Sequence, residues 1–175
     1  SFLGRTNGVL LAVAVASGIC FIWIARRVRQ PMFHLSLFGN RTFSFASISG
    51  LLNFMSQYIM VFVTPFYLQR VLQYPPKEVG LVMTAFPVAV MMIAPFSGSL
   101  SDRIGTRAPT CLGAGLCAVA LALMSQLPVS ASPGDIVWRL ALFGLGTGIF
   151  QSPNHSTVMG SVPKTHLGIA SGVLA

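Results

Sequence analysis

Acidic residues are nearly missing from this sequence. Three Asp and Glu face eleven Lys and Arg in 175 residues, for a formal net charge of +8. Charged residues make up 8% of the chain, against about 25% in soluble domains, and mean hydropathy is +0.76. Those values exclude a water-soluble globule. The three acids, Glu78, Asp102 and Asp135, all fall in turns between apolar runs, so no run carries a carboxylate. Cysteine is sparse too: Cys20, Cys111 and Cys117 each sit inside an apolar run. On one helix Cys111 and Cys117 would stand about 9 Å apart along the axis, too far for a disulfide. They read as small buried hydrophobes and match no metal-ligand spacing. With no nucleophile–base pair and no metal set, neither enzymatic chemistry nor a cofactor is expected. The basic excess lies between apolar runs and not on one polar face, which points to lipid headgroups and away from nucleic acid.

What the sequence has in abundance is long uncharged stretches. Residues 7–25 are about long enough to cross a bilayer core, show no signal-peptide cleavage pattern, and end in Arg26-Arg27-Val-Arg29, a basic stop. Ala14 and Gly18 form a small-xxx-small pair suited to helix packing. Residues 30–41 form a short amphipathic connector lying against the membrane. A second span falls within residues 42–69, a third over 79–96, a fourth over 108–127 and a fifth over about 136–159; residues 167–175 begin another. The expected fold is therefore all-α, a polytopic transmembrane helical bundle. The first residue is Ser1 and the last, Ala175, stands inside an apolar segment, so the chain reads as a piece of a longer protein whose N-terminal half is missing.

Between the third and fourth spans lies Gly98-Ser-Leu-Ser-Asp102-Arg103-Ile-Gly105-Thr-Arg107. A loop so short between segments so apolar is a tight turn. Gly98 permits close helix contact and Gly105 a positive φ. Asp102 can accept hydrogen bonds at a neighbouring helix N-terminus. Arg103 and Arg107 can pair with that carboxylate or with lipid phosphate. This pattern resembles the signature loop of the major facilitator superfamily of secondary transporters, with Thr106 where a second basic residue is common. In that family the loop joins the second and third helices of each six-helix half and latches the cytoplasmic side. The resemblance implies that Gly98, Asp102, Arg103, Gly105 and Arg107 form a conformational gate motif. It covers essentially the whole chain: the linker Phe38-Gly-Asn-Arg41-Thr-Phe43, the helix ending Pro65-Phe-Tyr-Leu-Gln-Arg70, and the later Gly144-Leu-Gly-Thr-Gly148 with Ser152-Pro-Asn154 are similar to the 14-helix drug:proton antiporters of the EmrB/QacA-type branch. The implied domain plan is one transmembrane helix and a basic linker over 1–41, then a partial C-terminal six-helix half over 42–175, with about four full helices and the start of a fifth.

Polar residues inside the spans are the other candidates. Asn53 and Gln57 share one helix face at i,i+4, either hydrogen-bonding between helices or lining a wet cavity. Gln151, Asn154 and His155 share a face beside Pro153; His155 is either a structural hydrogen-bonding residue or a proton carrier. Met91, with Met83 and Met92, gives the third span an adaptable surface, either plain packing or accommodation of varied apolar substrates. Gly144/Gly148 and Gly168/Gly172 are GxxxG pairs, which let a neighbouring helix backbone approach closely. Arg139 either snorkels to the interface or faces a cavity.

With the signature loop inside, the inner segments hold Arg26, Arg27, Arg29, Arg41, Arg103, Arg107 and Lys164, and the outer ends Arg5, Arg70, Lys77 and Arg139. The bias has the sign expected for that orientation. The expected function is secondary transport by alternating access in a bacterial cell membrane: proton-coupled efflux of a small organic, amphipathic substrate, with lipid and protons as partners. The alternatives are a nutrient or metabolite carrier working as symporter or uniporter, and a non-transporting membrane scaffold.

Overall fold

The computed structural model describes residues 12–13, 15–17, 19–20, 39–128, 130–163 and 171–172. The span expected at 7–25, the linker before Gly39, Lys164 and Gly168 lie wholly or mostly outside the described residues. The chain divides into two compact units, Ser1–Gly39 and Asn40–Ala175. In the first unit the described residues are helical; the remainder of the description concerns the second.

Helix α1 is Arg41–Phe66. Asn40 starts it, its side-chain oxygen accepting from the Thr42 N–H at 3.0 Å, which satisfies one of the N–H groups left without an intrahelical partner. Pro65 removes an N–H from the ladder, and just beyond it the helix widens into a π turn, Tyr67–Val71. The chain stops there because Gln73 takes φ 57° and the Tyr74 N–H returns to the Leu68 carbonyl at 3.0 Å, a left-handed C-terminal cap. The outer turn expected over 69–78 is thus shorter, since helix occupies both of its flanks: α2, Pro76–Met83, begins with Pro at its first position, where a missing N–H is harmless.

Helix α3, Ala85–Ile104, continues α2 after a break at Thr84. Pro87, three residues on, has no N–H to offer back to that turn. Together α2 and α3 form a rod eight residues longer at its C-terminal end than the expected 79–96, running to Ile104. Helix α4 is Arg107–Ser125. Helix α5, Pro133–Gly160, starts in a reciprocal capping box in which the Ser132 hydroxyl and the Asp135 carboxylate each hold the other's backbone N–H, so Asp135 belongs to the helix and not to the preceding turn.

Two sets of bonds fix the up-down order. Asn40 Nδ2 donates to the Ser161 carbonyl at 2.9 Å, bringing the start of α1 to the end of α5. At the other end the Tyr67 hydroxyl donates to the Pro128 carbonyl at 2.8 Å and the Tyr74 hydroxyl to the Ala131 carbonyl at 3.3 Å. Arg41, Gly105 and Ser161 therefore mark one end of the bundle and Tyr67, Pro128 and Ser132 the other.

Among the described residues, three rods are long and apolar enough to cross a membrane: Arg41–Val71, Pro76–Ile104 and Arg107–Ser125. Helix α5 is long enough, about 42 Å at 1.5 Å per residue, but its glycines and amides lower its hydropathy. It packs against α3, α4 and α1 and contributes the largest share of buried side chains, among them Ile136, Leu140, Phe143, Phe150 and Val158. A helix walled by other helices needs no lipid-compatible surface.

Candidate functional site

The bend that carries the gate motif is two residues long. Gly98, Asp102 and Arg103 lie in α3, Gly105 and Thr106 make the turn, and Arg107 is already the first residue of α4. A ten-residue loop is therefore replaced by the last two turns of a helix and a sharp corner. Gly105 takes φ 84° and ψ 166°, a conformation that residues with a Cβ rarely adopt. Gly98 faces α5: a methyl placed on it would stand 3.4 Å from the Ser152 hydroxyl oxygen. Beside it, the buried Ser97 hydroxyl donates to the Ile149 carbonyl at 2.7 Å, tying α3 to α5 across the same contact.

The charges of the motif are exposed, and the expected pairing of Asp102 with Arg103 or Arg107 is not formed. Among the described residues the one ion pair is Arg139 with Asp135, N···O 3.6 Å. The physical reason is direction. Arg103 is the next residue along the helix, and consecutive side chains point about 100° apart; Arg107 lies beyond the corner. Asp102 also occupies the last turn of α3, the negative end of the helix dipole, where a carboxylate is disfavoured by about 0.3–1 kcal/mol. It is an anion without a described partner, placed where its own helix repels it.

The remaining candidates separate into three places. Asn53 and Gln57 meet as a pair: Gln57 Nε2 donates to Asn53 Oδ1 at 3.3 Å. Asn53 Nδ2 then reaches Cys117 Sγ on α4 at 3.7 Å, and that sulfur stands 3.6 Å from Thr147 Oγ1 on α5. A polar seam thus crosses three helices at mid-bundle. Cys117 is buried, as expected for a small hydrophobe, but it also links α1 to α5 by hydrogen bonds. Cys117 and Thr147 were missed as polar partners. The sequence signal was a small polar residue, Thr147, wedged between Gly146 and Gly148. Asn53 also lines a cavity of about 330 Å³ between α1 and α4.

Asn154 is 1% exposed and lines a second cavity at the Arg41 end. Gln151 and His155 are half-buried and, like Gln57, lie on the wall of neither cavity. Met91 differs from the rest of the group: it is 76% exposed on α3, so the structure does not bring it to the amides of α1 and α5. A helical rod that buries one stripe against α5 leaves the opposite stripe outward, and Met91 falls on the latter.

The glycines of α5 decide how closely the rods approach. At 100° per residue, positions two apart face nearly opposite ways. Gly144 and Gly148 face α3: a methyl on Gly144 would meet the Phe86 carbonyl oxygen at 2.5 Å, and one on Gly148 would run into Ile93. Gly146 faces α4, where a methyl would stand 2.8 Å from the backbone nitrogen of Cys117. The spacing Gly-x-Gly-x-Gly thus seats two helices on opposite sides of a third. Gly172 has nothing within 4 Å of an added methyl, and its partner Gly168 is outside the described residues.

A sequence profile of the Major Facilitator Superfamily matches residues 2–175. The chain is 35% identical over 164 residues to the uncharacterized transporter YebQ of Escherichia coli, covering 94% of this chain and 36% of that protein. It is 32% identical to the riboflavin transporter RibZ of Clostridioides difficile, covering 99% of this chain and 39% of that protein. To the multidrug resistance protein Stp of Mycobacterium tuberculosis it is 32% identical over 168 residues, covering 95% of this chain and 31% of that protein. The chain spans 31–39% of the length of these curated relatives.

Proposed function

This chain belongs to the major facilitator superfamily and is a multi-pass membrane protein, and on that premise we propose that it is part of a proton-coupled exporter of drugs or small amphipathic compounds. The full transporter works by alternating access, with two halves rocking about a midplane cavity. Residues 42–175 belong to its C-terminal half, and the corner at Gly105 lies on the cytoplasmic side. Similarity to Stp supports the cargo class.

The observation that carries the gate role is Asp102: an exposed carboxylate at the unfavourable end of α3, paired with no described residue. Such a group gains from meeting the positive N-terminus of another helix in one state and loses that contact in the other, which biases a two-state equilibrium. Arg103 and Arg107 flank it and pair across the same gate. The apolar runs 42–69, 79–96, 108–127 and 136–159 contain no Asp or Glu. The proton carrier therefore belongs to the part of the protein beyond this chain or is His155.

Asp102→Asn in the full-length protein is expected to insert normally and to lower proton-driven dye uptake into everted vesicles at least tenfold. Unchanged uptake at equal protein level would refute the gate role. A second reading, transport of a metabolite such as a flavin, is favoured by the 32% identity to RibZ across nearly the whole chain. Riboflavin uptake into vesicles that pump no cationic dye would establish it instead.

A further inference from the structure

Residues 67–83 stand at the end of the bundle opposite the Gly105 corner, and the α-helical ladder is interrupted on both sides of them. On one side Pro65 withholds an N–H from α1. Tyr67–Val71 follows as a π turn, a rare form that is frequent at functional sites. On the other side α2 closes on itself. The Thr84 N–H divides between the Gly80 and Leu81 carbonyls, at 3.2 Å each, and the Thr84 hydroxyl donates to the Leu81 carbonyl at 2.6 Å. Pro87 has no N–H for the Met83 carbonyl, the bond that a continuous α-helix would need there. Between the two breaks Gln73 takes φ 57°, uncommon for a residue with a Cβ.

The chain on either side of Thr84 is fastened differently. Beyond it, α3 is locked to α5: added methyls on Gly144 and Gly148 would run into Phe86 and Ile93, and the Ser97 hydroxyl is bonded to the Ile149 carbonyl. Before it, a methyl on Gly80 of α2 would meet nothing within 4 Å. Leu68, Val79 and Val82 are buried, but apolar contacts are non-directional. Arg70, Lys77 and Glu78 are exposed and form no ion pair with a described residue. Among the described residues, the side-chain hydrogen bonds that tie 67–83 to another part of the bundle come from two tyrosines. The Tyr67 hydroxyl donates to the Pro128 carbonyl at 2.8 Å and the Tyr74 hydroxyl to the Ala131 carbonyl at 3.3 Å. Both land on the turn between α4 and α5.

We propose that residues 67–83 form a strap hinged at Pro65 and Thr84, latched in this structure by the Tyr67 and Tyr74 hydroxyls and released when this end of the transport path opens. Its part in the cycle rests on the alternating-access reading; the latch itself does not. A π turn holds about one residue more than an α turn, so resetting it to α turns the chain beyond it by about 100°. Tyr74 lies beyond it, and that rotation carries its hydroxyl off the Ala131 carbonyl. Leu68, Val79 and Val82 slide over apolar neighbours without a comparable loss. The two directional bonds therefore set the balance between latched and released states, each by about two- to tenfold.

The test uses full-length protein in lipid nanodiscs and hydrogen–deuterium exchange. Tyr67→Phe/Tyr74→Phe is expected to raise exchange in peptides spanning 68–74 and 130–132 by about tenfold and to leave α3 and α4 unchanged. Pro65→Ala/Pro87→Ala, which returns an N–H to each break, is expected to slow exchange across 67–83. Unchanged exchange in either variant, or a rise shared equally by α3 and α4, would overturn the strap.

A second arm reads transport. With Cys20→Ser and Cys111→Ser as background, Tyr74→Cys/Ser130→Cys replaces the latch by a bifunctional methanethiosulfonate bridge. Bridging is expected to abolish dye uptake into everted vesicles, and reduction to restore it. Full uptake by the bridged protein would overturn the strap's part in the cycle. Absence of uptake before bridging would count against the exporter reading alone, and exchange then decides the latch.

Discussion

Helices α5 and α1 are close in length and opposite in surroundings. α5 carries three glycines, two amides and a histidine in its span and is enclosed by its neighbours. α1 turns Phe45, Leu51, Tyr58, Ile59 and Phe62 outward, Phe62 at 69% exposure, and buries only a narrow stripe that includes Phe43, Ala46 and Gly50. The difference shows that large apolar side chains in this bundle mark the outward faces, whereas close packing is marked by small residues. Without a hydrophobic driving force between helices in lipid, association rests on close backbone approach and interhelical hydrogen bonds. Both are concentrated on α5.

The largest effect should come from filling the space that α5 keeps empty. Gly144→Ala places a methyl 2.5 Å from the Phe86 carbonyl oxygen, and backbone cannot yield as a side-chain tip can. A loss of about 3 kcal/mol and a sharp fall in monodisperse full-length protein on size exclusion are expected. Gly115→Ala on the open face of α4, with nothing within 4 Å, should be neutral or stabilising. Equal behaviour of the two variants would erase the distinction between the inner helix and the outward faces.

A smaller effect is expected in the polar seam. Asn53→Leu removes the donor to Cys117 and the acceptor for Gln57 together. Interhelical hydrogen bonds in membranes average about 0.6 kcal/mol and reach about 1.7, so the melting temperature should fall modestly. If transport drops while melting is unchanged, Asn53 faces substrate and is not mainly a strut between helices.

The smallest effect concerns the first turn of α5, which projects past a hydrocarbon core of about 30 Å. The hydrogen bonds from Ser132, first from its hydroxyl and then from its N–H, hold the Asp135 carboxyl below its ordinary value, with Arg139 adding to the effect. A carboxyl lowered on folding stabilises the fold at pH values above its unfolded range, and that contribution is lost as pH falls through the folded value. Ser132→Ala should therefore flatten the decline in melting temperature below about pH 4. An identical pH profile in the variant would show that the capping box contributes nothing at this end.

Much of this was open to sequence reasoning. Long uncharged runs set the helices, because backbone in lipid must bond to itself, and Gly105 declared a corner because few other residues take its φ. Boundaries shifted where local rules gave way to capping: Asp135 joined α5 through Ser132, and Gly98, Asp102 and Arg103 remained in helix because two residues suffice to turn. Pairing was harder to read. Cys117 with Asn53 and Thr147 lies 64 and 30 residues away in the chain, and no periodicity reports such distances.

The amino-acid order alone determined that this is a membrane helical bundle of the major facilitator kind, since charge is disfavoured in hydrocarbon and the acids therefore stand at the edges of the apolar runs, near helix ends. The tertiary structure decided which small residues serve as contact surfaces, which way each glycine of α5 faces, and which carbonyls the tyrosine hydroxyls reach. Those outcomes depend on the rotation of each rod against its neighbours, a quantity set by side chains brought together from distant parts of the chain.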